Sequence, residues 1–135
     1  MPKAKTSFKI NSHDREAYLI IKDIEYLGSG AYDCILEASS RGFLCKRPFG
    51  FDNDEYFLSK LGTLLSSEQG EAELMDLEAD SFIRIRPGEN GEFYLTGYLV
   101  EHSQVTHSIE FAFRVTAAEL EQFSQQFQSM VRSNV

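Results

Sequence analysis

Three histidines, two cysteines and a dense run of carboxylates are the side chains of this sequence with chemistry to offer. A metal site needs clustered imidazole, thiolate or carboxylate ligands. His13 stands apart, while His102 and His107 flank a hairpin loop with Glu101 nearby, which is the usual setting of exposed loop imidazoles. Cys34 and Cys45 fall in neighbouring predicted strands without Cys-x-x-Cys spacing, so they read as small core residues that face each other only in some registers. No Gly-x-Ser-x-Gly is present to set up a nucleophile. Gly28-Ser29-Gly30 precedes a strand instead of a helix, so it lacks the helix-end amides that hold a phosphate and is a turn. The expectation is therefore no catalytic residue, no metal and no cofactor, and the chain is not read as an enzyme.

The carboxylates are unevenly placed. Between Asp52 and Asp80 stand nine acids and one base, Lys60, and this stretch accounts for the whole net charge of −8. Glu68, Glu71, Glu73, Asp76, Glu78 and Asp80 have no basic neighbour among them. Such a run either keeps an edge strand from pairing with another sheet or forms an acidic docking surface for a basic protein. Glu71 and Glu73 share one strand parity and Asp76, Glu78 and Asp80 the other. A bulge or strand end near Leu74-Met75 is expected to keep them all outward. Arg84 and Arg86 share one parity opposite Ile83 and Ile85, and cross-strand pairs with Glu92 or Glu110 would use them.

Hydrophobic periodicity supplies the elements that place these groups. Period-2 alternation marks strands over Thr6 to Ser12, Glu16 to Tyr26, Tyr32 to Glu37 and Phe43 to Phe49, the second of them covered on both faces. Asp52 or Asn53 then caps a helix with the stripe Phe57, Leu61, Leu64 and Leu65. Strands resume at Glu71 to Leu77, Ser81 to Arg86, Glu92 to His102 and Thr106 to Thr116, with turns at Pro87-Gly88 and Asn90-Gly91. Thr116-Ala117-Ala118-Glu119 reads as a capping box opening a helix with the stripe Leu120, Phe123, Phe127, Met130 and Val131. The fold class is α+β: an antiparallel sheet of about seven or eight strands, with a short central helix and a C-terminal amphipathic helix packed on it. No internal repeat is visible.

With 135 residues, 42% of them hydrophobic, the chain reads as a single domain over 1–135 with its core at about 6–132. The longest apolar run, Ala17 to Ile21, is too short to span a membrane, no signal-peptide core follows the N-terminus, and a cytoplasmic protein is expected. The acidic balance argues against a phosphate-tracking nucleic-acid binder, and the near absence of Lys and Arg from the polar face of the C-terminal helix argues against a membrane surface.

The order of elements resembles the WapI-type immunity proteins of bacteria. The resemblance runs from about Tyr32 to Val131. It rests on the helix carrying Phe57, Leu61 and Leu64, Gly70-Glu71-Ala72-Glu73-Leu74, Ile83-Arg84-Ile85, Gly91-Glu92-Phe93-Tyr94-Leu95-Thr96-Gly97, and a closing helix with Leu120 as its first apolar position. It implies a small non-catalytic protein that neutralises a toxin domain by binding it. A toxin domain with a basic surface would meet the acidic set. Two other readings stand beside it: a small-ligand-binding or enzymatic domain with a pocket between sheet and helices lined by Tyr18, Tyr94, Tyr98, Arg84 and Arg86, or a structural oligomerisation module. The oligomeric state is left open by the sequence.

Overall fold

A computed structural model describes residues 7–77, 80–102 and 106–133. The chain runs β1 (Phe8–Asn11), β2 (Ala17–Gly28), β3 (Ala31–Ser40), β4 (Phe43–Phe51), α1 (Asp54–Ser67), β5 (Ala72–Met75), β6 (Phe82–Pro87), β7 (Phe93–His102), β8 (Thr106–Val115) and α2 (Ala117–Ser133). The α+β class, the eight antiparallel strands and both helices follow the sequence pattern. The strands divide, however, into two four-stranded sheets in the orders β1-β2-β3-β4 and β5-β6-β7-β8. The helix between β4 and β5 ends the first meander, and β5 opens a new ladder with β6.

Each sheet buries one face. Phe8, Ile10, Leu19, Ile21, Leu36, Phe49 and Phe51 of the first and Leu74, Ile83, Ile85, Leu95, Phe113 and Val115 of the second join the two helices in a single core. The α2 stripe is buried at all five expected positions. Phe123 and Phe127 reach the Phe8 ring at centroid distances of 5.4 and 5.8 Å, and Phe57 stands 5.1 Å from Phe127. These rings fill the space between the first sheet and the helices.

Strand β2 departs from the expectation of a doubly covered strand. Leu19 and Ile21 are buried while Tyr18, Ile20 and Lys22 turn outward, and a bulge between Lys22 and Glu25, with Asp23 at φ 54°, then shifts the phase. The apparent two-sided pattern is one buried face with a slip in it. The cysteines are also separated: Cys34 pairs across with Phe49 and Cys45 with Ala38, four residues further along β3. Both are free thiols, and burial pushes Cys34 up to about 12.

The architecture contains a repeat that the residues hide. Phe8–Ser67 and Ala72–Ser133 each form a four-stranded meander followed by a helix. The halves dock reciprocally, with α1 packed on β5 and α2 on β1. The turn after β1 donates the His13 amide to the Arg114 carbonyl at the end of β8 (2.7 Å). Correspondingly, the turn after β5 donates the Leu77 amide to the Gly50 carbonyl at the end of β4 (2.8 Å). What repeats is the alternation of apolar and polar positions and the hydrogen-bond layout, so identity along the chain does not reveal it.

The helix starts show how each half is locked. Thr116 Oγ1 accepts the Glu119 amide at 3.2 Å, as the capping box requires, but the Glu119 carboxylate accepts the Asn11 amide of β1 instead of returning to the cap. At α1 the cap position is Asn53, whose side chain donates to the Glu73 carbonyl of β5 at 2.9 Å. Both cap regions thus stitch the helix to the first strand of the other half.

Candidate functional site

The acidic set does not form one outward surface. Glu68 is exposed in the left-handed position that ends α1, its amide donating to the Leu64 carbonyl. Glu71 is exposed and lies 3.8 Å from the Arg84 guanidinium, and Glu73 binds that guanidinium at 2.6 and 2.7 Å. β5 ends at Met75, so the next carboxylate changes direction: Asp76 accepts the Gly50 amide at 3.1 Å and helps tie β4 to the β5–β6 turn. Asp80 is exposed, and Glu78 lies outside the described residues. Glu73 and Asp76 are thus committed to partners inside the fold. The sequence pattern located the strand end but not the inward turn of Asp76.

The Tyr and Arg set behaves differently. On the outer face of the second sheet, register places Phe82 beside Tyr98 and Tyr98 beside Glu110. The next row is Arg84, Thr96 and Ala112, and the next Arg86, Tyr94 and Arg114. Arg84, Arg86, Tyr94 and Tyr98 therefore share one face. Tyr18 does not join them: it sits on the outer face of the first sheet, with its hydroxyl donating to Glu37 at 2.8 Å and Lys9 4.3 Å from its ring centre. Residues that sequence reasoning missed complete the face, namely Phe82 and the small Thr96 and Ala112. Their outward parity was readable from β6, β7 and β8, but their adjacency depends on a register that alternation alone does not give.

Thr96 and Ala112 leave the middle row low, and an open groove of about 670 Å³ runs over them between Arg84, Phe82, Tyr98 and Glu110. The Arg84 guanidinium lies 4.6 Å from the Phe82 ring centre, and the Phe82 and Tyr98 rings are 6.0 Å apart. Glu73 thereby orients Arg84 and neutralises it while the ring supports it. Arg114 lies 3.7 Å from Glu92, which also contacts His13 of the β1–β2 turn. Arg86 is exposed. The face is rich in aromatic and guanidinium surface and close to neutral, although the chain as a whole is not. The expected pocket between sheet and helices is replaced by this open groove, because phenylalanine rings occupy the interior. Among the described residues no three His, Cys, Asp or Glu side chains are arranged to hold a metal ion.

The first sheet's outer face has another character. Glu37 accepts from Lys22 at 2.8 Å as well as from Tyr18, and Lys46 stands 3.6 Å away. The Lys22 hydrogen bond, then that from Tyr18, holds the Glu37 carboxyl below its ordinary range.

Paired meanders, each closed by a helix, define the class of fold, and two solved structures share it. The plant transcriptional regulator PBF-2 superposes with a TM-score of 0.52 at 15% identity, over 97% of this chain and 82% of that one. WHY1 from Arabidopsis thaliana superposes with a TM-score of 0.53 at 17% identity, over 97% and 85%. No family model and no curated protein matches the sequence.

These likenesses correct two expectations. The toxin-neutralising role, with a basic toxin domain as partner, gives way because the fold is one that a transcriptional regulator uses and the acids form no single docking face. The exclusion of nucleic acid falls as well. It rested on the charge of the whole chain, which describes neither sheet's outer face. The Tyr and Arg residues of the small-ligand or enzymatic reading do not converge on a pocket between sheet and helices: four of them stand on an open sheet face, and Tyr18 stands on another sheet altogether.

Proposed function

We propose that this chain is a non-catalytic nucleic-acid-binding module that takes a single-stranded segment on the outer face of the second sheet. The observation that carries the reading is the groove in which Phe82, Tyr98 and the ring-supported Arg84 surround the low floor of Thr96 and Ala112. Unstacked bases lie on aromatic faces and guanidinium planes with about 1–3 kcal/mol each, a term that every base can contribute. A net charge of −8 disfavours the denser phosphate charge of a duplex more than that of a single strand. The likeness in fold to a transcriptional regulator supports a nucleic-acid partner.

The charge pairing sets a distinctive expectation. Arg84 and Arg114 already face Glu73 and Glu92, so few counterions are released on binding. Fluorescence anisotropy with a short labelled oligothymidine should show a shallow salt dependence, a logarithmic slope of about −0.7 for each phosphate neutralised and only one or two of them. Tyr98→Ala and Phe82→Ala should each weaken binding roughly 5- to 150-fold. Unchanged affinity in both variants would overturn the assignment. A steep salt slope together with loss in Lys22→Ala and not in Tyr98→Ala would move the strand to the lysine-bearing face of the first sheet.

A further inference from the structure

At the far end of the first sheet, where α1 begins, lies a pocket of about 550 Å³ that the proposed nucleic-acid face does not touch. Its aromatic wall comes from adjacent strands. Tyr26 pairs across from Tyr32 with ring centres 5.0 Å apart, and Tyr32 stacks on Phe51 at 5.2 Å. Tyr56, on the first turn of α1, completes the wall and is 58% exposed. Its ring already attracts a cation, Lys60, whose Nζ stands 5.3 Å from the ring centre.

The polar side of the pocket is anionic and incompletely matched. Asp54 lines it with only 7% of its surface exposed, and among the described residues no cation pairs with its carboxylate. Burial raises the Asp54 carboxyl above its ordinary range, against the opposing pull of the amides of Asp54 and Glu55. Asn53 also lines the pocket, and its Oδ1 is shielded from solvent with no hydrogen-bond donor among the described residues. Asp52 and Glu55 add two exposed carboxylates. Three carboxylates outweigh the roughly half unit of positive charge at a helix start, so the local field still favours a cation.

The second half of the molecule provides an internal comparison. The last strand pair before α1 is Tyr32 with Phe51, followed by Asn53 and Asp54; the last pair before α2 is Phe93 with Val115, followed by Thr116 and Ala117. The same junction is therefore built there from a plain ring and an alanine. The fold does not require a buried carboxylate or a phenol at this place.

We propose that this pocket is a binding site for an organic cation carrying N–H donors, a guanidinium or a primary ammonium. The aromatic wall takes the face of the cation and Asp54 its charge. The head group comes either from a free small guanidine or from an arginine side chain of a protein, and both present the same chemistry.

Amide NMR titration of the full chain tests this with three probes: agmatine, Nα-acetyl-arginine amide, and Nα-acetyl-citrulline amide as the neutral isostere of the second. The expected result is saturable shifts centred on residues 26, 32 and 54–56 with the two cations and none with the citrulline compound. Tighter binding of the arginine amide than of agmatine assigns the occupant to a protein side chain, and the reverse order assigns it to a free guanidine. Asp54→Asn should reduce cation affinity roughly tenfold or more. The exposed Tyr56→Ala should reduce it roughly 2- to 5-fold and keeps the test decisive should Asp54→Asn fail to fold. Equal binding of the citrulline compound, no shifts with either cation, or full affinity retained in the variants would each overturn the proposal.

Discussion

Gly97 stands on the core-facing side of β7 directly opposite Phe111 of β8, and the Phe111 ring lies across it. A Cβ on Gly97 would fall inside that ring. Glycine in a strand interior costs conformational entropy and packs nothing itself, but here it lets a cross-strand phenylalanine cover the ladder. Gly97→Ala must therefore push Phe111, which is buried and stacked with Phe113 at 6.3 Å, out of its place. The expected loss is about 1–3 kcal/mol, seen as a lower urea midpoint at unchanged slope. Phe111→Leu in the same chain should recover part of it. A wild-type midpoint for Gly97→Ala would show that the ring moves without cost. Because Gly97 lies between Thr96 and Tyr98, the substitution should also weaken oligonucleotide binding. In the sequence Gly97 is one glycine in a strand-like run; its partner, and so its purpose, appears only with the register.

Among the elements, β2, β3 and β4 share one network on the outer face of the first sheet. Glu37 of β3 receives Tyr18 and Lys22 from β2 and faces Lys46 of β4. Its folded pKa lies below the unfolded one, so its contribution is present above the ordinary carboxylate value and is lost as the pH falls through the folded value. Asp54 has the opposite sign: its folded pKa is raised, so ionisation opposes folding and acidification relieves the cost. In urea midpoints measured against pH, Glu37→Gln should be destabilising near neutrality and should flatten the acid limb. Asp54→Asn should be neutral or stabilising near neutrality, with its advantage fading in acid. Parallel curves for the two variants would refute both assignments. The same strands show what periodicity can and cannot convey. Ile109, Phe111, Phe113 and Val115, or Leu120 through Val131, reveal which side of an element is buried, because burial repeats with the element's own period. They are silent on which strand lies alongside, so the division into two sheets, the slip at Asp23 and the separation of Tyr18 from Tyr94 and Tyr98 came only from the ladder. The acids misled for a related reason: parity gives a direction only while the strand lasts, and β5 stops before Asp76.

At the scale of the molecule, the two halves complete each other. Phe57 of α1 and Phe127 of α2 touch, α1 covers β5, and α2 covers β1 through the Phe8 contacts and the bond from the Asn11 amide to Glu119. A half taken alone would leave the apolar stripe of its helix and the inner face of its first strand without their partners, and an exposed patch of that kind drives either unfolding or association. The whole chain should therefore unfold in one cooperative transition, with near- and far-ultraviolet circular dichroism coincident in urea. Residues 1–70 and 71–135 produced separately should each lack a cooperative, concentration-independent transition, and mixing them should restore the near-ultraviolet signal of the tyrosines. The 1–70 fragment carries both an α1 stripe and a β1 edge, so any structure it gains alone should depend on concentration, as two copies replace the missing half. A 1–70 fragment that melts cooperatively at the same temperature over a wide dilution range would refute reciprocal docking. Because the docking uses the inner faces, the helices and the strand ends, it leaves the outer face of the second sheet uncovered, so oligonucleotide binding should return together with the tyrosine signal when the fragments are mixed. Binding by the 71–135 fragment while it remains unfolded would separate that activity from the sheet face assigned to it.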